Sequence, residues 1–307
     1  MLAVKELCKS YATESALSNV SFSLNRGEVV ALLGANGSGK TTTVQSICRL
    51  IEWDQGEIFI DNVDTRRSSA FLKQIGAVLG GCRNTNWRLT AKQNADYFAR
   101  LRGFSGASIR QNIETLHTAL GLDEHAKKEV MKLSTGNKQK AALLCALSYS
   151  PDFVLLDEPT LGLDFNTVDD LQRIIKDRVE VAEQGFLVTS HDLGFIDKIC
   201  DRVVVLDHGK LLFEGSLDTL KARLFKYELN IELKQPIEES ILNTLWAGRF
   251  DLQVDQQTIK VNYGSPDQSL MMLHYLHENN IQPLQLQIDS LSMEKAYQTL
   301  VQQKEVK

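Results

Sequence analysis

The sequence predicts a large α/β domain on a parallel sheet with a helical insert, followed by a small α+β domain. Two textures point there. Through the first two thirds of the 307 residues, short apolar runs alternate with helical patterns; afterwards strands of strict period two take over. The runs EVVALLG (Glu28 to Gly34), FVLLDEP (Phe153 to Pro159), FLVTSHD (Phe186 to Asp192) and RVVVLDHG (Arg202 to Gly209) are apolar almost throughout. Strands have this character when helices cover both faces of a parallel sheet. Between the first two lies a mostly helical insert, roughly 90 to 150. In the tail, YELNIEL sets Tyr227, Leu229, Ile231 and Leu233 on one face, and FDLQV, IKVNY and LQLQI repeat the alternation. Helical stripes fall among them: Ile237, Ile241, Leu245 with Trp246; Leu270, Leu273, Leu276; and Met293, Ala296, Tyr297, Leu300. The order β-α-β-β-α-β-α is that of a split βαβ domain, ferredoxin-like in outline. Domains are expected at 1–224 and 225–307.

Composition narrows the function. Hydrophobic content of 43% and charged content of 24% describe an ordinary globular protein. A net charge of −5 offers no general attraction for nucleic acid or anionic lipid, so any phosphate binding must be local. The longest apolar run, AALLCAL (Ala141 to Leu147), is far below the roughly 18 residues a membrane span needs. No basic segment followed by an apolar core opens the chain, which argues against a secretory signal. Five scattered cysteines without a C-x-x-C pair suit a reducing cytosol and act as small packing residues.

The chemistry concentrates in a few places. GANGSGKT, Gly34 to Thr41, fits G-x-x-x-x-G-K-[ST] without a mismatch, and it sits between a predicted strand and a predicted helix, as a P-loop requires. Gly34, Ala35, Asn36, Gly37, Ser38 and Gly39 form a backbone curl whose N–H groups face a β-phosphate. Lys40 reaches the β- and γ-phosphates, and the hydroxyl of Thr41, followed by Thr42, ligates Mg²⁺. FVLLDE ends in Asp157, placed to hold Mg²⁺ through water, and Glu158, a natural general base for an attacking water. His191 closes FLVTSHD at the C-terminal end of a strand, where α/β sheets bind ligands, and suits a γ-phosphate contact. A second anion-suited helix start is LSTGNKQK, Leu133 to Lys140, with Ser134 as N-cap and Gly136 leaving backbone amides uncovered. One chain thus carries two phosphate sites.

Together these residues resemble the ATP-binding subunit of an ABC transporter, over Tyr11 to Gly215 and in that family's order. The resemblance implies a P-loop ATPase fold with a helical subdomain at about 90–150, ATP and Mg²⁺ as ligands, and adenine stacked on Tyr11. LSTGNKQK matches the family's signature sequence, and LGLD, ending in Asp164, its loop after the catalytic glutamate. In the family two nucleotide-binding domains face each other head to tail, and each signature caps the γ-phosphate in the other's P-loop; Ser134 and Gly136 are then expected to act in trans. The second half comes from another copy or a relative, as a two-fold dimer provides. The implied partner is a polytopic membrane permease, and the implied location is the cytoplasmic face of the membrane, held peripherally.

Two departures stand out. The signature has Thr135 where glycine is commonest and Asn137 where glutamine is. Gly80 and Gly81 occupy the place of a glutamine that normally touches Mg²⁺ and links the site to the membrane subunit. Asn84 or Asn86 is the candidate replacement, while Arg83, Trp87 and Arg88 fit the docking face. LSTGNKQK, DEPTLGLD and the tail resemble the separate-chain ATPases of ABC-2-type exporters. The alternatives are an importer ATPase with a solute-sensing tail, and a soluble ABC ATPase acting on ribosomes or DNA; the acidic balance gives nucleic acid little to hold. His274 and His277, three apart on a helix, are read as a solvated face rather than a metal site.

Overall fold

The computed structural model describes residues 1–12, 14–80, 85–223, 227–234, 251–255, 257–263, 266–278 and 281–290. It divides into two compact units, Met1–Ser216 and Leu217–Lys307. The division falls before the change of texture near 224, because helix Leu217–Arg223 groups with the tail by its contacts.

In the first unit a six-stranded sheet has the order β10-β9-β3-β8-β7-β6. Its strands are β3 (Val29–Leu33), β6 (Ile75–Val78), β7 (Phe153–Asp157), β8 (Gly185–Thr189), β9 (Arg202–Asp207) and β10 (Lys210–Ser216). The inner strands pair in parallel, and only β10 runs antiparallel to its neighbour. Every residue of β3, β7 and β8 is buried, which is why their apolar runs show no alternation. Burying a side chain such as Phe153 or Phe186 stabilises the fold by about 1.5–3 kcal/mol. Helices α1 (Lys40–Ile47), α5 (Phe165–Ala182) and α6 (Leu193–Ile199) follow β3, β7 and β8.

A second, antiparallel sheet of order β2-β1-β4-β5 was not legible in the sequence. Strand β1 (Leu2–Tyr11) is irregular: its register against β2 (Glu14–Leu24) shifts at three places, and Glu6 has φ +49°. The first shift puts an extra residue into β1 between Val4 and Leu7, so its period of two breaks there, and the other two put the extra residue into β2. Its partners β4 (Gln55–Ile60) and β5 (Val63–Asp64) are short. Leu2, Val4 and Leu7 of β1, Leu17, Val20 and Phe22 of β2, and Val44 and Ile47 of α1 share one core with the main sheet.

The insert holds α2 (Ala91–Leu101), α3 (Ala107–Ala119) and α4 (Thr135–Leu147). Thr90 and Gln93 form a reciprocal capping box at the start of α2, which sets where the insert begins. Helix α4 presses on β6: a Cβ at Gly76 would lie 2.3 Å from the Ala146 carbonyl oxygen.

The second unit carries a four-stranded antiparallel sheet of order β12-β13-β11-β14, from β11 (Tyr227–Leu233), β12 (Asp251–Asp255), β13 (Thr258–Tyr263) and β14 (Pro283–Ser290). This is the strand order of a split βαβ fold. Leu229, Ile231, Ile259 and Val261 are buried, and Leu276 of the helix Pro266–Glu278 with them. Leu284, Leu286 and Ile288 of β14 are exposed. His274 pairs with Glu278 at 3.2 Å and is exposed, as is His277. The helical stripes at Ile237–Trp246 and Met293–Leu300 lie outside the described residues.

Candidate functional site

Strand β3 delivers the chain into a loop whose curl depends on glycine at two points. A Cβ at Gly34 would lie 2.2 Å from Ser38 Oγ and 2.4 Å from the Leu206 carbonyl oxygen; one at Gly39, with φ +104°, would lie 2.7 Å from the Ala16 carbonyl oxygen. Neither contact leaves room for a side chain. Lys40 opens α1 and folds back over this loop, donating to the carbonyl oxygens of Gly34 at 2.8 Å and Ala35 at 3.1 Å. Burial pushes its ammonium pKa below the ordinary value, against the opposing pull of Glu158 and Asp157. The cation is therefore held close to two carboxylates without an ion pair to either, ready for an anion.

The carboxylates arrive from the end of β7. The parallel register pairs Asp157 with Thr189 of β8. Thr189 Oγ1 donates to Asp157 Oδ1 at 2.6 Å and accepts from the Glu158 N–H at 3.1 Å, which also reaches the Thr189 carbonyl oxygen at 3.1 Å. Thr41 Oγ1 lies 3.4 Å from Asp157 Oδ2. Glu158 turns out of the strand at φ +53°. Its Oε2 accepts from the His191 N–H at 3.2 Å, whereas Oε1 is buried without a hydrogen bond although His191 Nε2 stands 3.3 Å away. Ser38 Oγ is a second buried, unpartnered oxygen. Orphaned buried polar atoms around a buried lysine fit a polar ligand.

Lys40, Thr41, Asp157, Glu158 and His191 line one cavity of about 610 Å³, together with Tyr11, Asn36, Gly37, Gly39, Thr42, Gly80 and Leu161, whereas Gly34, Ala35, Ser38 and Thr189 are not in its wall. Tyr11, at the end of β1, is 46% exposed with the Lys9 ammonium 5.2 Å from its ring centroid, so a flat face is available to a ligand. Thr41 and Asp157 are the oxygen pair suited to Mg²⁺, an ion that keeps several waters and needs few protein ligands. No cluster of three or more His, Cys, Asp or Glu able to hold a metal occurs among the described residues.

Ser134 and Gly136 do not line this cavity. Ser134 caps α4 by accepting from the Asn137 N–H at 3.3 Å, and a Cβ at Gly136 would lie 3.0 Å from the Gly162 carbonyl oxygen, so the signature abuts the LGLD loop. Asp164 caps α5 through Thr167, whose backbone and hydroxyl donate to it and lower its pKa, and Leu161 and Phe165 beside it are 69% and 75% exposed.

Thr189 was missed in the sequence; only its place two residues before His191 in FLVTSHD could have flagged it. Asn86, a candidate replacement for the absent glutamine, does not line the nucleotide-side cavity. Its Oδ1 accepts from the Arg88 N–H at 3.1 Å, and its backbone is bound by Asn94. Asn84 lies outside the described residues. Gly80 does reach the site, with its Cβ direction 3.7 Å from Asp157 Oδ2. A second cavity of about 580 Å³ opens between the sheet and the insert, lined mainly by apolar residues including Leu72, Leu79, Phe98, Leu101 and Cys145. Burial pushes the Cys48 thiol at its wall up to about 12.

A glycine loop, its lysine, a strand-end carboxylate pair and a neighbouring histidine, on a mainly parallel sheet with helices, define a P-loop nucleotide hydrolase. Residues 17–161 match the family described as ABC transporter. The chain is 36% identical over 206 residues to the ABC transporter ATP-binding protein NatA of Bacillus subtilis (strain 168), spanning 67% of this chain and 83% of that one. It is 33% identical to the probable multidrug ABC transporter ATP-binding protein YbhF of Escherichia coli (strain K12), over 73% of this chain and 38% of that one. A solved dimer of the ATP-binding cassette MJ0796, in a post-hydrolysis state with ADP and Pi, superposes with a TM-score of 0.65 at 28% identity, over 71% of this chain and 99% of that one. The chain belongs to the ABC transporter ATP-binding family, whose members hydrolyse ATP.

Proposed function

We propose that this chain is the ATPase subunit of an ABC-2-type exporter and works as a head-to-tail dimer of nucleotide-binding domains beneath a polytopic permease, on the cytoplasmic face of the membrane. Lys40, Thr41, Asp157, Glu158 and His191 share one cavity while Ser134 and Gly136 stand outside it; that separation carries the proposal. A signature helix start with no phosphate in its own chain is useful only across a dimer.

In this reading Tyr11 stacks on adenine, and the Gly34–Gly39 backbone with Lys40 neutralises the β- and γ-phosphates. Thr41 and Asp157 hold Mg²⁺, which supplies charge neutralisation at the phosphates when bound. Glu158, at the cavity wall, takes a proton from the attacking water. His191 contacts the γ-phosphate and holds Glu158 Oε2 by its backbone N–H. Ser134 and Gly136 offer the partner's γ-phosphate the start of α4. The apolar cavity beside the insert, rimmed by the exposed Leu50, Tyr97 and Leu101, supports docking of the permease there. Export rather than import is favoured by Thr135 in the signature, by glycine at 80 and 81, and by the likeness to a probable multidrug ATPase.

The test mixes two inactive chains. Lys40→Ala disables a P-loop and leaves its signature intact; Ser134→Arg disables a signature and leaves its P-loop intact. Their heterodimer retains one competent composite site, so the mixture should hydrolyse ATP although neither chain does alone. No gain, with heterodimers present, would remove sharing in trans.

A further inference from the structure

Loop 85–90 is clamped by a side chain of α2 and is joined to the signature helix and the segment before it by backbone hydrogen bonds, a β-bridge and a cation–π contact. Asn94 of α2, fully buried, accepts from the Asn86 N–H at 2.7 Å through Oδ1. Its Nδ2 faces the carbonyl oxygens of Asn86 at 3.0 Å, Leu89 at 3.4 Å and Thr90 at 3.0 Å. One amide thus clamps the whole turn. The far side of the turn is laced to the segment that leads into Ser134: the Val130 N–H donates to the Leu89 carbonyl at 2.9 Å and the Met131 N–H to the Trp87 carbonyl at 3.0 Å, beside a β-bridge from Thr90 to Glu129. Finally the Lys138 ammonium, one turn into α4, stands 5.4 Å from the ring centroid of Trp87.

We infer, resting on the shared-site reading above, that Trp87 and Lys138, with Asn94 as the anchor of their loop, are positioning residues that set where Ser134 and Gly136 sit over the partner's nucleotide. Trp87 is 53% exposed, and a large indole at the surface is not needed for the core of its own unit. Its ring holds a cation of the signature helix from outside, while its carbonyl holds the residues just before that helix. A shift of the loop is therefore transmitted to α4 by backbone and side chain together. The two sides of the clamp are also the loop beside the missing glutamine and the helix that reaches across the dimer.

A structural contact would damage the chain that carries it wherever that chain sits; a positioning contact damages only the site its signature completes. In the mixture of Lys40→Ala and Ser134→Arg chains, Trp87→Leu is placed first in the Lys40→Ala chain, which donates the working signature, and then in the other. We expect turnover to fall about threefold in the first arrangement, the scale of a half-exposed cation–π contact, and to stay unchanged in the second. Lys138→Met should match it, the two together should be no worse than either, and Trp87→Tyr, which keeps a π face, should restore most of the rate. Asn94→Leu in the signature donor, which takes the partner from the part-buried Asn86 N–H and from three carbonyl oxygens of the turn, should cost about tenfold. Nucleotide binding by the Ser134→Arg chain alone, whose P-loop is intact, should not move when it carries Trp87→Leu. Equal losses in both arrangements, or no loss in either, would overturn the inference while the unsubstituted mixture still turns over. A mixture that never turned over would instead remove the shared-site reading.

Discussion

Thr189 offers the sharpest test of how the carboxylates are held. Replacing it by valine keeps volume and β-branching in a fully buried strand position, so packing is conserved while the hydroxyl is lost. Two hydrogen bonds go with it. The one to Asp157, 2.6 Å long, is charge-assisted and is worth about 1.5–3 kcal/mol. The one from the Glu158 N–H counts for little, because that group keeps the Thr189 carbonyl at 3.1 Å. If Asp157 is held in place only in part by Thr41, at 3.4 Å, the loss falls on the geometry of the metal carboxylate, and turnover should drop by about ten- to a hundredfold. Affinity for ATP without Mg²⁺, set by the P-loop and Tyr11, should stay within about twofold. Steady-state ATPase assays and equilibrium binding of a fluorescent ATP analogue would measure both. Thr189→Ser should recover the rate. Turnover of Thr189→Val within twofold of the parent protein would show that the hydroxyl does not position Asp157, and the argument would fail.

Glu158→Gln keeps the acceptor for the His191 N–H and should bind Mg·ATP normally, lose at least about a hundredfold in hydrolysis and accumulate as an ATP-bound dimer on size exclusion; near-normal turnover would remove Glu158 from the chemistry. Asp61 is held well below the ordinary carboxylate range chiefly by Arg26, at 2.6 and 2.8 Å. Its contribution to stability is therefore complete above about pH 4 and is lost as pH falls below that through the lower folded value; Asp61→Asn should flatten the acid side of a melting-temperature profile. Removal of the second unit after Ser216 should leave Mg·ATP binding intact but change self-association or ATPase rate, as ultracentrifugation and kinetics would report; identical values would leave the tail to docking or solute sensing.

Local chemistry explains what was legible in advance. GANGSGKT specifies its loop because only glycine fits at Gly34 and Gly39, and that demand is written in adjacent residues. Strands β3, β7 and β8 announced themselves because burial on both faces leaves polar residues only at the ends, Asp157 and Thr189, and the tail strands because burial on one face leaves alternation. The capping Ser134 was readable for the same reason: a helix start is satisfied within three residues. What depended on distant partners was not. Strand β1 gives up its periodicity to bulges that follow β2 and β4, so its sheet emerged only in three dimensions. Thr189 matters through the register of β8 against β7, which no local pattern encodes. Asn86 faces Asn94 rather than the nucleotide because a buried amide eight positions on captures its backbone. By itself, then, the sequence determined the phosphate loop, the carboxylate pair and the class of each strand, since these rest on neighbouring residues. Tertiary structure alone decided which side chains meet around the cavity and which stay outside it, because those contacts arise from strand pairing and packing across more than a hundred residues, as between Thr41 and Asp157.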